Sequence, residues 1–228
     1  MAAPSVDKLV ESFKNPRIPP IDGKPTYAML HTMHELLDLN AASFNTNLGC
    51  GTLGHLCLAL PPTVYATLST TRVAPPPNTG ATPVIPTGAT GPEAASTRYA
   101  HDAETMEFNT FKNVNPALCQ KILGAVEDTF VWVKHKPHLG YSGSSTLDLI
   151  THIYETYTVI SNAYCLANDK RFHKAYTSTV PIEVAWRQID DTVVYANAVS
   201  TPSSNKQVVD NAYQLVFNTG IFAADRRE

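Results

Sequence analysis

Residues 146–222 read TLDLITHIYETYTVIS (146–161), NAYCLANDKRFHKAYTSTV (162–180), PIEVAWRQIDDTVVYANA (181–198) and, past a Ser/Pro break, KQVVDNAYQLVFNTGIF (206–222). Apolar residues recur there at alternating steps of three and four. The sets are Leu147, Ile150, Tyr154 and Tyr157; Ile182, Trp186, Ile189, Val193 and Ala196; and Val208, Ala212, Leu215 and Thr219. This is the spacing of an amphipathic helix that buries one stripe and wets the opposite face. Ser145 followed by Asp148 is a capping box that starts the first helix, and Ser161 is expected to cap another running to about Arg171. Four short helices without an alternating strand pattern predict an all-α fold.

Upstream, Asn115-Pro116 has the grammar of an N-cap and first helical position. It predicts a helix to about Lys136 on Leu118, Ile122, Ala125, Thr129 and Val133, closed by Pro137 and Gly140. A separate helix is expected over 92–113 with Ala95, Tyr99, Ala103 and Met106 inward. Residues 72–91 (RVAPPPNTGATPVIPTGATG) have no helical period and predict a long exposed loop. A short helix is expected over 62–68. Another runs over 26–40, with Thr26 as N-cap and with Tyr27, Leu30, His34 and Leu37 on one face beside Met33. Residues 1–25 contain PRIPPIDGKP, whose prolines remove donors and fix φ, so an extended Pro-rich N-terminal arm is expected.

Composition bounds the function. The 228 residues carry a net charge of −3 with 43% hydrophobic content, which argues for a real core and against a nucleic-acid footprint. Cys50, Cys57, Cys119 and Cys165 form no CxxC pair, so reduced thiols are expected. Asp7, Glu11 and two lysines in the first fifteen residues read against a secretory leader, and no apolar run reaches the ~20 residues of a membrane span. A cytoplasmic protein without membrane contact is expected.

Several constellations bear on chemistry. Gly49, Gly51 and Gly54 match GxGxxG, which holds a pyrophosphate only between a buried strand and a helix N-terminus. Here AASFNTN precedes the glycines, Pro61-Pro62 cut the run that follows, and the next acidic residue is Glu93. The turn over Gly49 to His55 therefore reads as a tight structural turn, with His55 placed to hydrogen-bond it. His31 and His34 stand at i, i+3 with Glu35 after the second, unlike a zinc-protease helix. His135 and His138 flank Pro137 at a helix end, and Asp190-Asp191 point to different faces. Lys170, Arg171 and Lys174 with Phe172 and His173 form a basic-aromatic cluster that reads as a solvated helix end. No catalytic, cofactor-binding or metal-binding residue is assigned, and no enzyme is expected.

Three strings carry a resemblance: IPPIDGKPTYAMLHTMHELLDLNAAS; NLGCGTLGHLCLALPPTVYATL with its Pro/Thr/Gly loop and PVIP; and TLDLITHIYETYTVIS with PIEVAWRQIDDTVVYA and VVDNAYQLVFNTGIF. In this order they resemble the capsid region of the Gag polyprotein of copia-type LTR retrotransposons. The resemblance covers about Ile18 to Ala223. It implies a two-lobed helical capsid protein that self-assembles into virus-like particles around element RNA. The lobes would fall at 26–158 and 159–228, behind the arm at 1–25. The family's CCHC zinc knuckle has no counterpart in this segment, so RNA contact here is expected to be weak. Two other readings stay open: a capsid-derived host interaction or adaptor module that closes no shell, and a ligand-binding protein or enzyme using the turn from Gly49 to His55.

Overall fold

Local chemistry starts the helices where the sequence places them. In the computed structural model Ser145 Oγ accepts the Asp148 N–H at 3.1 Å and Asp148 Oδ2 accepts the Ser145 N–H at 3.0 Å, opening a helix at Thr146–Tyr157. Thr26 Oγ1 accepts the Met29 N–H at the start of Tyr27–Ala42, and Pro62 begins Pro62–Leu68. The structure describes residues 3–47, 52–69, 71, 73–158, 162–177, 179–198 and 201–217. Among them are nine α-helices: α1 Val6–Ser12, α2 Tyr27–Ala42, α3 Pro62–Leu68, α4 Gly91–Ala125, α5 Asp128–Val131, α6 Thr146–Tyr157, α7 Asn162–Phe172, α8 Glu183–Ala198 and α9 Asn205–Phe217. The described residues form no strand beyond two isolated bridges. The all-α class is thus established. No described helix is long and apolar enough to cross a membrane. The expected Ser161 cap and inward Thr219 lie outside the described residues.

The chain divides into two compact units, Met1–Thr158 and Val159–Glu228. The core of the first gathers Leu9 and Phe13, Leu30, Met33 and Leu37 of α2, Leu118 and Ile122 of α4, and Leu149 and Ile153 of α6. Leu9 and Phe13 correct the expectation of an extended arm over 1–25. Val6–Ser12 is a helix packed on α4, and Phe13 meets Phe44 edge-on at 5.4 Å. The proline-rich residues after it are extended but bound. The buried Asn40 carboxamide accepts the Asn15 N–H at 2.8 Å and donates to the Asn15 carbonyl at 3.0 Å. Buried Ile21 donates its N–H to the Ala125 carbonyl at 2.7 Å. Sequence reading missed this because prolines signal the absence of a helix, not the absence of packing.

The two helices expected over 92–136 are a different pair of objects. Helix α4 runs unbroken through Pro116, because Asn115 is engaged elsewhere: its Oδ1 accepts the Thr146 N–H at 3.0 Å and the Thr146 hydroxyl at 2.9 Å. An interior proline costs about 3 kcal/mol, and burial of Val114, Ala117, Leu118 and Ile122 around it offsets that. The expected inward face at Tyr99, Ala103 and Met106 points outward instead. Tyr99 is 77% exposed, and α4 has no buried residue before Val114. The helix stops at Ala125, where Val126 turns extended to pair with Ile21. Residues 132–134 form a 3-10 turn, so Thr129 and Val133 face solvent rather than the core.

In α6 the buried stripe is Thr146, Leu149, Ile150 and Ile153, rotated from the expected one, with Tyr154 and Tyr157 at its edge. The 73–90 segment carries no helix and is mostly exposed.

In the second unit Phe172, Ile189 and Leu215 form the buried core, flanked by Tyr176, Val193, Val208 and Ala212. Gln188 Nε2 donates to the Arg171 carbonyl at 2.8 Å and the Lys174 carbonyl at 3.1 Å, satisfying the end of α7. Buried Asn211 donates to the Phe172 carbonyl at 2.6 Å. Helix α8 buries Ala185, Ile189, Thr192 and Ala196, which rotates Trp186 off the core to 42% exposure. Ile189→Ala is therefore expected to cost about 2–4 kcal/mol, and Trp186→Ala only about 1 kcal/mol despite its larger side chain. Urea unfolding of the two variants checks the order; a costlier Trp186→Ala would restore the unrotated register.

Candidate functional site

The glycine turn carries its constraint at Gly54. Its φ is +51°, and a Cβ there would lie 2.6 Å from the Ala42 carbonyl oxygen and 2.7 Å from that of Phe44. Gly49, Cys50 and Gly51 lie outside the described residues. Helix α2, not a strand, leads into the turn, and a 3-10 segment at Leu56–Leu58 follows it. A pyrophosphate cradle needs a strand feeding a helix N-terminus, and the described residues on either side of the turn supply neither.

What the turn does deliver is His55. Its N–H donates to the Ala41 carbonyl at 2.9 Å, and its ring is tilted against Phe111 at 6.1 Å. The residue is 1% exposed, and neither ring nitrogen makes a hydrogen bond of good geometry. An unsatisfied buried polar group costs about 1–3 kcal/mol. Burial pushes the imidazole below its usual range, against the opposing pull of the Phe44 carbonyl and the Glu107 charge.

His55 lines a cleft of about 580 Å³ with Pro4, Phe44, Thr46, Asn47, Met106 and Glu107 among its walls. Glu107 Oε1 accepts the Thr46 hydroxyl at 2.8 Å and the Asn47 N–H at 2.7 Å, while Oε2 accepts Asn47 Nδ2 at 3.2 Å. Desolvation works against ionisation there, but these bonds and the His55 interaction hold the carboxyl below its ordinary range. The cleft thus presents one carboxylate and one imidazole on a largely apolar wall. Sequence reading found the His55 turn and missed Glu107, because α4's outer half brings the latter from far along the chain.

This sets a pH dependence. Below about pH 6.5 the unfolded chain takes up a proton on His55 that the folded chain resists, so stability falls as pH falls. The slope from this one group is at most about 1.4 kcal/mol per pH unit. Asp38, raised first by desolvation, acts with the opposite sign nearer the carboxylate range, so the measurement belongs above about pH 5. Thermal melts of the wild type and His55→Phe from pH 7.5 to pH 5 (about 2.5 units) are expected to differ in slope, the variant being flatter; parallel curves would refute it.

The remaining histidines and charged residues are spread apart. His31 Nε2 lies 3.4 Å from Glu35 and His34 Nε2 3.6 Å from Asp38, each an (i, i+4) pair on α2. His34 Nε2 also lies 3.3 Å from the Ala59 carbonyl oxygen. His135 stacks on Trp132 at 4.5 Å, whereas His138 sits in a turn with φ of +68°. Arg171 pairs with Asp191 at 3.5 Å, His173 with Asp169 at 3.5 Å, and Phe172 is in the core, so the basic-aromatic cluster is largely spoken for. Among the described residues no group of three or more His, Cys, Asp or Glu side chains is placed to hold a metal ion. Burial raises the thiols of Cys57 and Cys119.

The other prominent surface feature is apolar. Trp132, Val133 and Leu139 are exposed in the first unit, and Leu166, Val184, Trp186, Val209 and Tyr213 in the second. Trp132 is held in place by its stack on His135, which Tyr141 meets edge-on at 5.2 Å. Comparison of the chain with protein-family models, curated proteins and solved structures gives no match.

Proposed function

We propose that this chain is a structural, non-enzymatic protein of capsid type that self-associates in the cytoplasm. One observation carries the reading: among its described residues, the second unit leaves more large apolar side chains in water than it buries. Its core is Phe172, Ile189 and Leu215, while Leu166, Val184, Trp186, Val209 and Tyr213 face outward. A helical unit this small is marginal alone, and covering those faces with further copies stabilises it. The resemblance of its sequence strings to copia-type Gag supplies the form of assembly, a particle enclosing element RNA. With a net charge of −3, RNA contact through this segment is weak.

Association of this kind multiplies weak contacts and rises steeply with concentration. Added salt screens the residual repulsion and favours it. Light scattering against protein concentration is expected to show oligomers, and the pair Trp186→Asp and Tyr213→Asp is expected to raise the onset concentration roughly tenfold or more while leaving helicity intact. A monomer at high micromolar concentration at every salt would overturn the reading and favour docking to a different protein.

A further inference from the structure

The cleft beside Glu107 has the chemistry of a receptor, independently of assembly. Its charge is a single carboxylate, already bonded twice at Oε1 and once at Oε2. Beside it stands the buried His55 imidazole, drawn on by the Phe44 carbonyl but with neither ring nitrogen in a hydrogen bond of good geometry. Phe44, Ala103 and Met106 supply an apolar wall, and the whole cleft holds about 580 Å³. A ligand that fits must therefore bring positive charge, N–H donors and an apolar body. A guanidinium fork wants both carboxylate oxygens in one plane, and Oε1 is already doubly occupied. An ammonium needs a single free direction on Oε2 and spreads its three donors tetrahedrally.

We propose that this cleft binds a primary ammonium on an apolar stem, its N–H groups donating to Glu107 Oε2 and to the lone pair of the His55 imidazole while the stem lies against Phe44 and Met106. The ammonium gives the imidazole lone pair the donor that the fold does not supply, which is why a donor-bearing cation is selected over a quaternary one. The same chemistry occurs in a free alkylamine and in a lysine side chain.

The test is a titration of the full chain followed by the ¹H–¹⁵N resonances of His55 and Glu107. The probes are n-butylammonium, N-acetyl-lysinamide, n-butanol and tetramethylammonium. Saturable shifts are expected with n-butylammonium, with a Kd on the order of 1 mM for so small a ligand, and roughly tenfold weaker binding in Glu107→Gln. Binding of n-butylammonium without N-acetyl-lysinamide assigns a free amine, and binding of both assigns a lysine side chain. Because Glu107→Gln also disturbs the Thr46–Asn47 turn, Met106→Lys serves as a second variant. Its own ammonium fills the site, keeps Glu107, and is expected to abolish the titration. Equal shifts from n-butanol or tetramethylammonium, no saturable shift from either amine, or unchanged binding in Met106→Lys would overturn the proposal.

Discussion

Deleting residues 1–22 is expected to unfold the larger unit. The deletion removes Leu9, Phe13 and Ile21, all buried in its core. Truncating one such side chain costs about 2–5 kcal/mol, and losing three rivals the 5–15 kcal/mol (roughly) that holds a whole domain together. It also strips the backbone partners from Asn40, whose carboxamide is buried and bonded only usefully while Asn15 is present. Ala125 loses the N–H of Ile21. Far-UV circular dichroism and urea titration of the truncated chain are expected to show lost helicity and no cooperative transition from this unit. The single substitution Leu9→Ala gives the graded version, expected at about 2–4 kcal/mol. A truncated chain with the full-length midpoint would mean that these residues are an ornament on the fold.

Substitution of Gly54 is expected to be nearly as damaging, and with an unusual signature. The obstacle is at the Cβ itself, 2.6 Å from one carbonyl oxygen and 2.7 Å from another, and backbone atoms cannot rotate aside. Gly54→Ala should therefore be almost as costly as Gly54→Val, both at about 3 kcal/mol or more once the left-handed φ is included. Gly23 is the control: its φ is +71° but nothing lies within 4 Å of a Cβ, so Gly23→Ala is expected to cost only about 1 kcal/mol. Thermal melts of the three variants decide it. A Gly54→Ala protein as stable as Gly23→Ala would show that the turn relaxes freely.

Features decided within one turn of helix were legible in the sequence. The Thr26 cap, the Ser145–Asp148 box and the Pro62 start each depend on atoms three or four residues apart. Features decided by a distant partner were not. Asn115-Pro116 has a helix-start pattern, but Thr146 takes the Asn115 side chain and the helix runs on. Trp186 is the largest apolar residue on its stripe, yet the four-residue set Ala185, Ile189, Thr192 and Ala196 sets the rotation, because small residues let α8 approach its neighbours. The proline-rich start looked unpacked for want of helical period, though Ile21 alternates into the core as an extended chain does. The cleft was half visible: its histidine sits in a turn that glycines announce, its carboxylate on a helix whose exposed face gives no sign of what it stands beside.

Helix α4 is continuous in geometry but unequal in burial. From Val114 onward one face of it is buried in the core; before that it is at most half-buried and carries side-chain hydrogen bonds such as Thr79–Thr105 at 2.6 Å and Asn113 to the Pro4 carbonyl at 2.9 Å. Opening free energies within one protein range from near zero to the global value, following local burial. The outer turns of α4 are therefore expected to open more readily than the inner ones, which hydrogen exchange of their amides checks. Glu107 belongs to the less buried half and His55 to the buried side, so the gap between them is the seam along which this unit is expected to open first.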